Sequence, residues 1–143
     1  MRRLVLRAHI WMAACLVVPL VHALPLRWVL RALSPPRWWR PYRGVAPEEV
    51  SELVGRRLAR PWHMKRRACL REGLVLFHFL CLAGHEPVLH FAVFPPEPRP
   101  RAMHAHCWVT LGGRACSAPP REPTAEVMRY DRSAGARPIG GPP

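Results

Sequence analysis

Two helical periods followed by two alternating ones organise the middle of the chain. Ala46 to Arg60 opens with Pro47 and two acids, closes with arginines, and sets Val50, Leu53, Val54 and Leu58 on one face. That polarity predicts a helix which Pro61 ends. From Met64 to Ala83, Leu70, Leu74, Phe77 and Cys81 recur at spacings of four and three, and Val75, Leu76, Phe79 and Leu80 make the lower half apolar nearly all round. A helix of this kind belongs in the middle of a fold, and Gly84 stands where a left-handed cap is expected. Pro87 to Phe94 reads as an inner strand, apolar on both sides apart from His90. A Pro/Arg loop follows over 95–101. His104 to Leu111 is the next strand, Gly112-Gly113 a two-residue hairpin turn, and Arg114 to Ser117 the start of the return. Glu122 to Tyr130 is predicted as a short helix and residues 132–143 as a disordered tail.

The N-terminal part is patterned differently. Ala8 to Leu26 contains no Arg, Lys, Asp or Glu, which approaches the ~20 residues a membrane span requires. His9, Pro19, His22 and Pro25 interrupt it, and Arg7 and Arg27 flank it. Three readings stand: helices packed on the domain or lying on the inner membrane face, a single span, or a signal sequence. Trp11, Trp28, Trp38 and Trp39 suit an interface, although burial is the commoner explanation of tryptophans. Ser34 to Pro41 holds three prolines and is a linker or turn.

Composition bounds these elements to one small core, since the chain has 143 residues. The formal charge of +13 points towards polyanions in general. Lys65 is the only lysine, however, and the arginines occur with 18 prolines, as in a compositionally biased chain. No zinc finger, recognition helix or RNA-stacking motif accompanies the charge, so nucleic acid is not expected as a partner. The five cysteines, at 15, 69, 81, 107 and 116, lack a Cys-x-x-Cys pair. They indicate neither a disulfide framework nor a zinc ribbon, and free thiols suit the reducing cytoplasm.

Thiol chemistry is the candidate activity. Cys69 lies early on the long helix beside Lys65, Arg66 and Arg67, which favour a thiolate, and a histidine on a later strand can withdraw and return a proton. The expected arrangement has the two side chains meeting across a helix-on-sheet interface. The bland alternative makes Cys69 a small buried residue. His104 and His106 share a strand face and, with Cys116, also sketch an incomplete zinc site; no metal or other cofactor is expected from it. His78, His85 and His90 read as core or surface residues.

The segment from Ala68-Cys69-Leu-Arg through the apolar helix, Gly84 and the strand to Val93 resembles a block of the lasso-peptide B proteins. Ala105-His106-Cys-Trp108-Val-Thr-Leu-Gly-Gly113 is similar to their His-Ala-Trp-Val-Glu strand and glycine turn. The resemblance implies an α+β fold, a transglutaminase-like or papain-like cysteine protease core with a Cys-bearing helix on a small antiparallel sheet, preceded by apolar Arg-rich helices. It divides the chain into an N-terminal helical region over 1–60, a protease domain over 61–131 and the tail. It implies a leader peptidase with Cys69 as nucleophile and His106 as base, acting on a ribosomally made precursor peptide. Its expected partners are a separate leader-recognition protein and an asparagine-synthetase-like cyclase, in the cytoplasm with membrane-surface contact as one option. The family carries an aspartate on the strand after the histidine; here that place reads Arg114-Ala-Cys-Ser-Ala118. Glu122, Asp131, Ser117 or a carbonyl remain to orient the imidazole; otherwise the chain is a weakened or inactive scaffold of the same fold in the maturation complex, or a small basic membrane-associated protein whose thiols and histidines are incidental.

Overall fold

A computed structural model describes residues 1–59, 68–94, 105–121 and 124–139. Among these residues four helices, α1 (Arg2–Ala23), α2 (Leu26–Ala32), α3 (Pro47–Leu58) and α4 (Ala68–Leu82), precede five strands. These are β1 (Pro87–Val93), β2 (Ala105–Leu111), β3 (Arg114–Ala115), β4 (Ala125–Asp131) and β5 (Gly135–Pro138). The strands form one sheet in the order β3-β2-β1-β4-β5, antiparallel at every pairing. The architecture is α+β, a helical layer on a mixed-length antiparallel sheet.

The all-round apolar helix does lie at the centre. Leu74, Val75, Leu76, Phe77, Phe79, Leu80, Cys81 and Leu82 are all buried, because α1 and α3 cover one side of α4 while β1 and β2 cover the other. Gly73 allows the close approach to the sheet: a Cβ there would come within 2.7 Å of Cys107 Sγ and 3.1 Å of Leu89 Cδ1. At the other end Gly84 takes φ 94°, with its N–H donating to the Cys81 carbonyl and that of His85 to the Leu80 carbonyl. This paired closure turns the chain directly into β1.

The N-terminal helix belongs to the same core. Leu6, Ile10, Ala13 and Val17 join one buried cluster with Leu74, Leu89 and Val109. Arg71, 3% exposed, reaches from α4 to donate from Nε to the Ala14 carbonyl at 3.0 Å. Buried His78 gives its Nδ1–H to the Leu33 carbonyl at 2.9 Å, and His85 gives Nε2–H to that of Val45 at 3.0 Å. The two histidines therefore fasten the connection between α2 and α3 onto α4 and the turn that follows it, in keeping with a structural role.

Two expectations are corrected. Glu122 to Tyr130 is not a short helix: Ala125–Asp131 is a strand that pairs with β1. Glu, Met and Arg favour helix locally, but the second edge of β1 needs a partner, and tertiary pairing prevails over propensity. The disordered tail is also overturned over part of its length, since β5 pairs with β4 from Met128↔Pro138 to Asp131↔Gly135. Asp131 Oδ1 accepts the N–H groups of Ser133 and Ala134, and Gly135 takes φ 73°, which closes a three-residue hairpin loop. By contrast, β1 is an inner strand and Gly112-Gly113, at φ 55° and 81°, form the hairpin turn, as the sequence predicts.

Candidate active site

Cys69 is the second residue of α4 and half-buried. Its Sγ contacts the Ala105 carbonyl oxygen at 3.8 Å, so the helix brings the thiol to the residue before His106. Lys65, Arg66, Arg67, His104 and Glu122 lie outside the described residues. The other buried thiols are poor nucleophiles. Burial pushes Cys81 up to about 12, and raises Cys107 strongly, with the nearby Cys69 and Glu72 adding to it. Cys116 is raised as well, chiefly by burial.

The imidazole stands across the strand from the thiol. Strand alternation allows one parity of β2 to face α4, and Cys107 and Val109, 5% and 0% exposed, take that side against Gly73 and Leu89. His106 and Trp108 consequently face the other way. Among the described residues the two candidate side chains make no hydrogen bond to each other; the Ala105–His106 peptide lies between them. The expected meeting across the helix-on-sheet interface is thus corrected: Cys107, rather than His106, fills that interface.

A specific partner holds the His106 ring. Nε2 lies 2.9 Å from the Ala118 carbonyl, which can only accept, so Nε2 carries the proton and Nδ1 keeps the lone pair. The orienting group is therefore a backbone carbonyl in the stretch where an aspartate was expected. Ser117 is engaged elsewhere, its Oγ accepting the Val109 N–H at 3.0 Å. Asp131 is at the wrong end of the sheet: it pairs with Val88, whereas His106 pairs with Ala92. Partial burial would raise its carboxyl, but hydrogen bonds from Ser133 and Ala134 and the charge of Arg137 hold it below the usual range.

Around His106 the sheet carries a polar layer that periodicity alone did not reveal. Trp108 stacks on His106 with centroids 6.0 Å apart and on His90 at 4.9 Å, the latter nearly parallel at 10°. His90 gives Nδ1–H to Glu126 Oε1 at 2.5 Å, leaving Nε2 to accept from the Thr110 hydroxyl at 2.8 Å. Arg129 donates to both Glu126 oxygens at 2.8 Å. The Arg129 hydrogen bond first, and then the His90 contact, hold the Glu126 carboxyl at about 2. The chain Glu126–His90–Trp108 thus fixes one side of the His106 ring. The signal was present in the alternation of His90, Trp108 and Thr110, but Glu126 was assigned to a helix. No group of three His, Cys, Asp or Glu side chains among the described residues is placed to hold a metal.

The model of the transglutaminase-like superfamily matches residues 12–129, from within α1 into β4. The chain belongs to that superfamily. Its members are in general cysteine peptidase-like or acyltransferase-like. Comparison with curated proteins and with solved structures returned no match.

Proposed function

We propose that the protein is a cysteine peptidase that removes the leader from a lasso-peptide precursor, with Cys69 as nucleophile and His106 as general base and acid. One observation carries the reading: the helix-borne Cys69 sulfur lies against the backbone of the His106 strand, 3.8 Å from the Ala105 carbonyl. The tautomer of His106 supports it, because a proton on Nε2 leaves Nδ1 free to take the thiol proton.

In the reaction the thiolate attacks the scissile carbonyl carbon, and amide N–H groups near Cys69 receive the oxyanion. The C–N bond breaks as the imidazolium returns its proton to the leaving amine. Water then cleaves the thioester, giving its proton to the same ring and freeing the thiol. Proton transfer requires the Ala105–His106 end of β2 to turn so that Nδ1 reaches the sulfur; precursor binding along this edge would supply that movement. A carbonyl partner stabilises the imidazolium less than a carboxylate does. Turnover slower than that of an enzyme with an orienting aspartate is therefore expected. The partners in this reading are the precursor peptide, a separate leader-recognition protein and an asparagine-synthetase-like cyclase, all in the cytoplasm.

The separation of thiol and imidazole by the strand favours a second reading, a silent scaffold of the same fold that gathers precursor and cyclase. Incubating purified protein with precursor and recognition protein distinguishes the two. The peptidase releases leader in the native chain and loses at least about a thousandfold in rate in Cys69→Ala and His106→Ala. Equal release by native and Cys69→Ala protein removes the thiol mechanism, and release by neither leaves the scaffold.

A further inference from the structure

The exposed apolar surface of the molecule is concentrated at one end of the chain. Among the described residues every large exposed hydrophobic side chain except Val127 and Ile139 lies between Met1 and Trp39. On α1 the pattern is two-faced. Leu6, Ile10, Ala13, Ala14 and Val17 are buried, while Leu4, Val5, Trp11, Met12 and Leu16 form an opposite stripe, each about half exposed or more. At 1.5 Å per residue the stripe from Leu4 to Leu16 extends over roughly 18 Å of the 22-residue helix. Among the described residues the Arg57 guanidinium lies over the Trp11 ring, 5.7 Å from its centroid, and the stripe nonetheless stays about half exposed or more.

Charge indicates what covers the stripe. Between Met1 and Pro47 there are eight arginines and no Asp or Glu. Of these, Arg3 and Arg37 pair with carboxylates of the rest of the chain, Glu49 and Glu86. Arg27 and Arg31 both lie over the half-exposed Trp28 ring, 5.9 Å from its centroid, and Trp38 is 83% exposed. Apolar stripe, tryptophans and uncompensated arginines together match an anionic lipid interface: acyl chains take the stripe, the indoles sit at headgroup level, and guanidinium groups meet lipid phosphates.

We infer that α1 docks the protein on an anionic bilayer surface, lying in the interface plane. The helix is long and apolar enough to cross a membrane. Crossing, however, would strip its second face from α4 and expose Arg71, whose guanidinium is buried against the Ala14 carbonyl. Surface docking leaves that packing intact. It is also independent of the thiol chemistry, so Cys69→Ala binds as the native chain does.

Full-length protein is mixed with vesicles of phosphatidylglycerol and phosphatidylcholine, or of phosphatidylcholine alone, and followed by co-sedimentation and tryptophan emission. The expected result is partition onto the anionic vesicles with a blue shift, at least about tenfold weaker on neutral vesicles or at high salt. Replacing the stripe in L4Q/W11Q/L16Q should lower partition at least about tenfold with an unchanged circular dichroism spectrum. Should that triple variant unfold, Arg27→Gln with Arg31→Gln must reduce the anionic preference instead. Absence of partition, an unaltered partition in the folded variants, or resistance of the bound protein to carbonate extraction each overturns the proposal, the first pointing to a protein partner and the last to a span.

Discussion

On the α4 side of the sheet, β1 and β2 present Leu89, Cys107 and Val109, none more than 5% exposed. On the other side the same strands present His90, His106, Trp108 and Thr110, joined through Glu126 to Arg129. Period-two alternation forces this division, and it has a chemical result. The face that anchors the helix must be apolar, so the titratable groups gather on the face away from the thiol. In the proposed peptidase a productive dyad would therefore have to form at the strand end, through a turn of Ala105 and His106, rather than in the middle of the interface.

Three substitutions break or sharpen the comparison. Phe77→Ala, in the fully buried face of α4, should lower stability by about 3–5 kcal/mol in urea titration, because the cavity adds to lost transfer energy. Gly73→Ala should cost a net of about 1–2 kcal/mol, helix propensity offsetting part of the overlap with Cys107 Sγ. In the double variant with Cys107→Ala that overlap disappears, so the two losses should sum to less than their separate values. A simple sum would mean that Gly73 is not the point of close approach.

Glu126→Gln, on the outer face, should cost only about 0.5–1 kcal/mol near neutral pH, since Arg129 is solvent-exposed and water screens the pair. Its pH dependence separates it from the other two. The folded-state carboxyl, at about 2, lies below its unfolded value near 4.5, so its contribution is complete above about pH 4.5 and lost as pH falls towards 2. Native and Glu126→Gln melting temperatures should converge over that window. The deficits of Phe77→Ala and Gly73→Ala should persist through it.

Much of the fold was legible because single residues carried it. Pro47, Glu48 and Glu49 at one end and Arg56 and Arg57 at the other marked α3, and the run from Leu74 to Leu82 could only be a central helix. Gly112-Gly113 fixed the β2–β3 hairpin. β4 and β5 were not legible, since Glu126, Met128 and Arg129 are sound helix formers and only the open edge of β1 makes them a strand. In the candidate site, Cys69 on its helix and His106 on its strand were readable from the residues. Their relation was not: it follows from Cys107 being the residue that packs on Gly73, a contact with no local signature.

For the proposed peptidase, the carbonyl of Ala118 bears on how turnover would vary with acidity. An aspartate in its place would gain a proton in acid and release the ring; an amide oxygen has no such transition in the range where proteins stay folded. In the proposed peptidase, orientation of the His106 ring would therefore not depend on the protonation state of its partner.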